Sequence, residues 1–166
     1  MAILTQDMRR VIAEQRLGFV ASVGADGSPN LSPKGTFVAL DGDSIGFGEI
    51  RSPGTLRNLE TNPRVEVNFV DPFSRTGYRF KGTARVVGRG EPAFPPLLAR
   101  VAGTWQALAD SVRAVVVIDV HTALPLTTPA YDIGSTEEDL RAHWARHFRA
   151  IQPGGRFPDE PDGTAR

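Results

Sequence analysis

Two short segments of the sequence carry the residue types that bind a phosphate group. The first combines an arginine, two hydroxyl side chains and a helix-initiating proline in Arg51, Ser52, Pro53, Gly54 and Thr55. Serine is a favoured N-cap and proline a favoured first helical residue, so a short helix is predicted to begin after Ser52. Free backbone N–H groups and the helix dipole attract anions there, and the Arg51 guanidinium can donate two hydrogen bonds. The segment therefore predicts a phosphate-monoester site; a plain helix cap beside a solvated arginine is the alternative.

The second segment lies on a neighbouring predicted strand and consists of Ser32, Pro33, Lys34, Gly35 and Thr36. Pro33 has no backbone N–H, which indicates a sheet edge or a break in the ladder. Gly35 has no Cβ, so a ligand could approach the backbone closely. Backbone N–H groups here could contact the polar edge of a planar ring, and Lys34 could contact a ring carbonyl or a phosphate. A bulged edge strand with an exposed lysine is the alternative.

Short predicted strands and helices position these segments. Alternation of apolar and polar residues predicts six strands, at about 19–23, 30–40, 44–49, 65–69, 78–86 and 113–120. The first three are expected to form a meander, because only tight turns join them. Helices are expected at 5–16, after Ser52, at 95–108 and at 136–151, and residues 122–133 are expected to be irregular. Short strands without helical crossovers predict a mainly β fold, namely a closed or partly split antiparallel barrel with flanking helices.

The composition limits the class of protein. A chain of 166 residues fits one domain, predicted at 1–151, followed by a mobile tail rich in Pro, Gly and Asp at 152–166. Its 19 basic and 19 acidic residues balance, which predicts neither nucleic acid nor an anionic membrane as a partner. The absence of cysteine excludes disulfides and thiolate chemistry. The sequence shows no signal peptide or membrane-spanning run, so a cytoplasmic location is expected.

A spacing that can bind metal occurs on the predicted last helix. His143 and His147 are four residues apart, which places both on one helix face. No third ligand is evident, so no metal site is predicted and a solvated helix face is preferred.

The order and spacing of several stretches resemble a known family. The strand at 19–23 is followed by a turn and by the stretch from Asp26 to Gly35, and the segment at 51–55 continues through a short helix to Asn62, Pro63, Arg64 and Val65. Residues 77–84 resemble the next strand pair of that family. Over about residues 5–135 the sequence resembles the pyridoxamine-phosphate-oxidase-like FMN-binding split-barrel family.

This resemblance implies a six-stranded antiparallel split barrel that forms a homodimer, with FMN at the subunit interface. It implies that Ser32 to Thr36 line the edge of the isoalloxazine ring. It also implies that the ribityl phosphate is held by Ile50, Arg51, Ser52 and Thr55. The partner subunit is expected to close the site, with Asn68 or Trp105 as the contributing residue.

The activity implied by the resemblance is that of an FMN-dependent oxidoreductase, which moves a hydride or electrons between a small molecule and a second acceptor. The sequence identifies neither the substrate nor a catalytic residue. A non-catalytic flavin carrier or redox sensor is one alternative, and a deazaflavin-dependent reductase is another. Oxidases that act on pyridoxamine phosphate carry a C-terminal arginine–tryptophan segment, but no tryptophan follows Trp144 here. Vitamin B6 oxidation is therefore not expected.

Overall fold

A computed structural model of the chain describes residues 2–103 and 106–152. These residues form two compact units. The first comprises the chain up to Val70 together with Gly77–Leu126, and the second comprises Asp71–Thr76 together with the chain from Thr127 onwards. No helix in the described ranges is long and apolar enough to cross a membrane. Apart from Gln152, the predicted tail at 152–166 lies outside the described residues.

Seven strands form one sheet, and the prediction of a mainly antiparallel β fold is confirmed. Its order is β2-β1-β5-β6-β7-β4-β3, and its paired strands run antiparallel. The strands are β1 Gly18–Val23, β2 Pro29–Lys34, β3 Val38–Ala39, β4 Ser44–Glu49, β5 Arg64–Asp71, β6 Thr76–Gly88 and β7 Ala114–Leu126.

The seventh strand arises because the expected strand at 30–40 is broken in two. Its first part, β2, pairs with β1, and its second part, β3, pairs with β4 at the opposite edge of the sheet. The break begins at Gly35, directly after β2 ends. Pro33 has no N–H, Gly35 has no Cβ, and the Phe37 side chain then lies in the core. The expected meander is therefore replaced by one chain segment that joins the two edges of the sheet.

The inner face of the sheet buries the alternating apolar residues of the strands. Phe37 is at the centre of an aromatic group, with its ring centroid 5.0 Å from Phe47 and 4.9 Å from Phe69. Aromatic pairs at these separations add to the stabilisation that burial itself provides. Gly18 is required beside them, because a Cβ at that position would lie 2.6 Å from the Phe37 ring.

The described residues form four α-helices, α1 Gln6–Gln15, α2 Pro53–Thr61 and α3 Phe94–Ala102 in the first unit and α4 Glu137–Ala150 in the second. The helix expected at 95–108 ends at Ala102, and a 3-10 turn at Gln106–Ser111 follows it. The last strand runs on to Leu126 through a region expected to be irregular. Pro125 is accommodated there because only β6 pairs with this end of β7, so one backbone edge is left unpaired.

The second unit is built from the 71–76 turn and α4. Thr136 caps α4 in a reciprocal capping box with Asp139, and the Asp71 carboxylate pairs with Arg141 at 2.7 Å. The guanidinium of Arg75 lies 3.4 Å from the centroid of the Trp144 ring. His143 and His147 are exposed, and no group of three potential metal ligands forms among residues 2–103 and 106–152.

Candidate functional site

The start of α2 has the sequence features that initiate a helix. Ser52 is the N-cap and Pro53 is the first helical residue, as predicted. The Ser52 hydroxyl nevertheless makes no capping bond. Its oxygen lies 3.2 Å from Ser32 Oγ and accepts a hydrogen bond from Lys34 Nζ. The side chain thus belongs to a polar cluster rather than to the helix end.

The polar face of β2 supplies the rest of this cluster. Asn30, Ser32 and Lys34 alternate along the strand, so their side chains share one face, and α2 packs over it. Asn30 Nδ2 lies 3.5 Å from Thr55 Oγ1, and Lys34 Nζ donates to Ser32 Oγ at 2.6 Å. We call these residues together the α2 cluster: Asn30, Ser32, Lys34, Ser52 and Thr55.

Lys34 carries a buried positive charge in the α2 cluster. Only 6% of the residue is exposed, and burial lowers the pKa of its ammonium group, while the nearby Glu49 carboxylate acts in the opposite direction. Glu49 is 1% exposed and accepts a hydrogen bond from the Ser52 backbone N–H. No carboxylate of the described residues pairs with Lys34 within 4.0 Å, so its direct partners are two neutral hydroxyls. Glu49 acts on Lys34 without contacting it, so an anion that contacts the ammonium directly would offset more of the cost of its burial.

Further donors at the start of α2 lack acceptors. Within the part of the chain that the structure describes, the backbone N–H groups of Gly54 and Thr55 make no hydrogen bond. Gly54 borders open space, because a Cβ there would meet only the end of the Arg57 side chain, at 3.9 Å. Arg51 is exposed and forms no ion pair with a described carboxylate. Donors without acceptors at a helix start form an anion-binding arrangement.

A groove of about 590 Å³ adjoins the α2 cluster. Asn30 lines it together with Ser22, whose hydroxyl accepts a hydrogen bond from Asn30 Nδ2 at 3.0 Å. Apolar residues of β1 and β2 form much of its wall, Arg64 adds positive charge, and Lys81 pairs with the Glu66 carboxylate, which also lines the groove, at 3.6 Å. The groove therefore provides an apolar space that continues from a cluster of hydrogen-bond donors.

The residues predicted as one site are brought together only in part. Ser32, Lys34, Ser52 and Thr55 meet in the α2 cluster. Thr36 instead hydrogen-bonds the backbone of Gly48 at 3.0 Å, and Ile50 packs against the smaller apolar cluster beside α3. Pro33 is exposed on the other face of β2, Gly35 is exposed beside open space, and Arg51 lies in the exposed turn before Ser52.

Comparison with known proteins identifies the family. The pyridoxamine 5'-phosphate oxidase family profile matches residues 4–125. The chain belongs to this family. HupZ of Group A Streptococcus shares 31% identity, with 75% of this chain and 94% of HupZ covered and a TM-score of 0.64. None of the curated proteins compared with the chain matches it.

Two more distant structures share the fold. An FMN-binding protein of Syntrophomonas wolfei is 14% identical, with 75% of this chain and 87% of that protein covered and a TM-score of 0.63. HutZ, the heme storage protein of Vibrio cholerae, is 19% identical, with 73% and 93% covered and a TM-score of 0.59. The oxidase-family fold thus occurs both in an FMN-binding protein and in a heme storage protein. The ligand of this chain must therefore be inferred from its own residues.

Sequence reasoning missed four residues of this candidate site, namely Ser22, Asn30, Glu49 and Asn58. Asn58 donates to Ser22 Oγ at 3.0 Å, and Glu49 holds the Ser52 N–H. The alternation of Asn30 with Ser32 and Lys34 was a usable signal for one polar face. Glu49 gave none, because every residue of β4 is buried and no alternation marks it. Of the two expected partner residues, Asn68 is half-buried on β5, and Trp105 lies outside the described residues.

The outer face of β1 and β2 exposes apolar side chains. Phe19 pairs with Pro33, Ala21 with Leu31 and Val23 with Pro29, so six apolar residues lie side by side. Leu31 is 65% exposed and Phe19 is 39% exposed. We call this surface the β1–β2 apolar face. This face is therefore a candidate interaction surface.

Proposed function

We propose that the chain binds FMN and that the α2 cluster holds the flavin phosphate. The observation that carries this proposal is the buried Lys34 ammonium, whose hydrogen-bond partners among the described residues are two hydroxyls. A phosphate monoester would supply the missing negative charge, and it could also accept from the N–H groups of Gly54 and Thr55. Arg51, in the turn before Ser52, could add a bidentate contact. The donor set therefore fits the phosphate of FMN.

The groove beside the α2 cluster is the proposed place for the rest of the flavin. Its volume of about 590 Å³ lies within the usual range for small-molecule sites, and its apolar wall suits a planar ring. When bound, the flavin supplies hydride or electron transfer, and the protein binds and orients it. We propose an FMN-dependent oxidoreductase that acts on a small molecule and transfers its electrons to a second acceptor.

A second copy of the chain is the proposed partner of the β1–β2 apolar face. Self-association through a two-fold interface uses the same patch on both copies, and this face is apolar along both strands. It also adjoins the proposed flavin groove, because Leu31 belongs to both. We expect Leu31→Asp to shift the protein from dimer to monomer in analytical ultracentrifugation. Ile133→Asp, which changes an exposed apolar residue elsewhere, is the control and should leave the dimer unchanged.

The phosphate proposal is tested by comparing FMN with riboflavin, which lacks only the phosphate. We expect quenching of flavin fluorescence to give a dissociation constant at least about 100-fold lower for FMN, because two or more charge-assisted hydrogen bonds are lost with riboflavin. Equal affinities would refute the role of the α2 cluster. The absorption spectrum of the purified protein separates a flavin from a deazaflavin and from heme, and either of the last two as the bound group would refute the FMN assignment.

Turnover is tested separately from binding. We expect the FMN-loaded protein to oxidise a reduced nicotinamide and to pass the electrons to an added acceptor such as a quinone. A protein that binds FMN tightly but leaves a panel of such donors and acceptors unreacted would be a flavin carrier or redox sensor, and the oxidoreductase proposal would fail.

A further inference from the structure

A second cavity, of about 340 Å³, lies between α1, residues 35–39 and α3. Arg9 of α1 and Arg16, the residue directly after α1, line it, and Val38, Ala39 and Val101 supply apolar surface. It shares no residue with the α2 cluster. Its volume is at the lower end of the range for small-molecule sites.

Arg9 and Arg16 reach this cavity from the body and from the end of α1. Arg9 and Ala13 are four residues apart and share one helix face, and Arg16 follows the helix directly as its C-cap, with a φ of 55°. The Nε of Arg9 donates to the Leu4 carbonyl at 3.3 Å, and the Nε of Arg16 donates to the Ala13 carbonyl at 3.2 Å. These bonds leave the terminal nitrogens of both guanidinium groups available to a ligand.

Arg10 of α1 has the ion pairs that Arg9 and Arg16 lack among the described residues. It does not line the cavity, and it pairs with both Asp7 and Glu14, at 2.6 Å each. Neither Arg9 nor Arg16 has a carboxylate within 4.0 Å among residues 2–103 and 106–152. Carboxylates thus neutralise Arg10, which lies outside the cavity. Arg9 and Arg16, which line the cavity, have no carboxylate partner in the described part of the chain.

The acidic residues of the nearby 41–43 turn are committed to backbone groups. Asp41 accepts from the N–H groups of Asp43 and Ser44, at 2.8 and 2.7 Å. Asp43 accepts from the Ile3 N–H at 2.7 Å. These carboxylates stabilise the turn and do not pair with Arg9, although its guanidinium approaches Gly42.

We propose that this cavity binds a small organic anion, whose acidic group is held by Arg9 and Arg16 and whose apolar body lies against Val38, Ala39 and Val101. Guanidinium groups bind carboxylates and phosphates in the same bidentate manner, so the shared chemistry is one acidic group on a compact apolar body. The cavity includes Gly35 and Thr36, which the family resemblance placed at the edge of the flavin ring, but it shares no residue with the α2 cluster or with the groove proposed for the flavin.

The test uses the full-length protein and three probes of similar size. Isothermal titration calorimetry with benzoate, phenyl phosphate and neutral benzamide measures whether charge is required. We expect one anion per chain, with benzamide at least about tenfold weaker, because a charge-assisted pair is lost. The comparison of benzoate with phenyl phosphate identifies the preferred acidic group. Failure of both anions to saturate, or equal binding of benzamide, would overturn the proposal.

Substitution of the two cavity-lining arginines tests whether the anion binds in this cavity. Arg9→Gln with Arg16→Gln is expected to weaken the preferred anion by at least about tenfold, and Arg10→Gln, on the same helix, is expected to leave it unchanged. Circular dichroism verifies folding, and the two single variants replace the double variant if it unfolds. Unchanged anion affinity in folded variants would contradict the assignment. The FMN dissociation constant of the same variants should not move, which separates this site from the α2 cluster.

Discussion

The chain contains two buried polar clusters that differ in how their charges are satisfied. In the second unit, the Asp71 carboxylate accepts from Phe73 N–H at 2.8 Å and Ser74 N–H at 3.3 Å, and it pairs with Arg141 at 2.7 Å. Both of its oxygens are occupied. In the α2 cluster, the Lys34 ammonium hydrogen-bonds two hydroxyls and no carboxylate among the described residues, and two N–H groups of α2 have no acceptor there.

This difference separates a structural cluster from a candidate binding site. Burial by itself raises the pKa of Asp71, but the hydrogen bonds to the carboxylate and the Arg141 pair outweigh it and lower the pKa overall. Burial lowers the pKa of Lys34, and only Glu49 opposes it. A site for a charged ligand is therefore recognised by the partners that its charge lacks and not by its burial.

The largest expected effect comes from removing the uncompensated charge. Lys34→Met keeps the length and apolar stem of the side chain and deletes the ammonium. We expect FMN affinity to fall by about 100-fold, because a buried charge-assisted contact contributes about 1.5–3 kcal/mol and long-range attraction adds to it. Fluorescence titration measures the loss, circular dichroism shows that the variant is folded, and Arg10→Met is the control. A folded Lys34→Met protein with wild-type affinity would remove the distinction between the clusters.

A substitution in the cluster around Asp71 is expected to lower the stability of the second unit without weakening FMN binding. Asp71→Asn should destabilise the second unit by about 2 kcal/mol, measured by hydrogen exchange of the α4 amides, with FMN affinity unchanged. The lowered pKa of Asp71 means that its contribution is complete at neutral pH and is lost as the pH falls through that pKa. The wild type should therefore lose α4 protection in acid more steeply than Asp71→Asn. Identical acid profiles would show that Asp71 contributes nothing to the unit.

The sequence predicted most of the fold and about half of the site, for identifiable reasons. Alternation located the strands, and Ser52 with Pro53 located the start of α2, because these signals are local. The break in the expected strand at 30–40 was not predicted, since joining opposite sheet edges depends on tertiary packing around Phe37. Glu49 was missed for the same reason: a carboxylate in a fully buried strand has no local signature.

A smaller effect is expected at the exposed edge of the α2 cluster. Arg51→Ala removes a guanidinium that solvent screens, so we expect FMN affinity to fall by about tenfold or less and the barrel to remain folded. Titration at low and high salt distinguishes it from Lys34: the Arg51 contribution should shrink with salt, while the buried Lys34 contribution should persist. Arg85→Ala, an exposed arginine on β6, is the control. An unchanged dissociation constant at low salt would remove Arg51 from the phosphate site.

The smallest predicted effect is a gain in FMN affinity, and it tests how the Glu49 charge affects phosphate binding at the α2 cluster. The Glu49 carboxylate lies near Lys34 and accepts the Ser52 N–H, so its negative charge opposes a phosphate at the same place. Glu49→Gln keeps an oxygen acceptor for Ser52 and removes the charge. We expect FMN affinity at neutral pH to rise by a few-fold, about 1 kcal/mol or less.

The pH dependence of this variant discriminates further. Glu49 raises the pKa of Lys34, so without its charge the ammonium loses its proton at a lower pH. As the pH rises, FMN affinity should therefore fall at a lower pH for Glu49→Gln than for the wild type, and the gain of the variant should shrink in alkaline solution. Weaker binding at neutral pH would mean that the carboxylate supports the site by orienting Ser52 and Lys34. The charges of the α2 cluster would then satisfy one another, as those around Asp71 do, and the cluster would no longer be a candidate phosphate site.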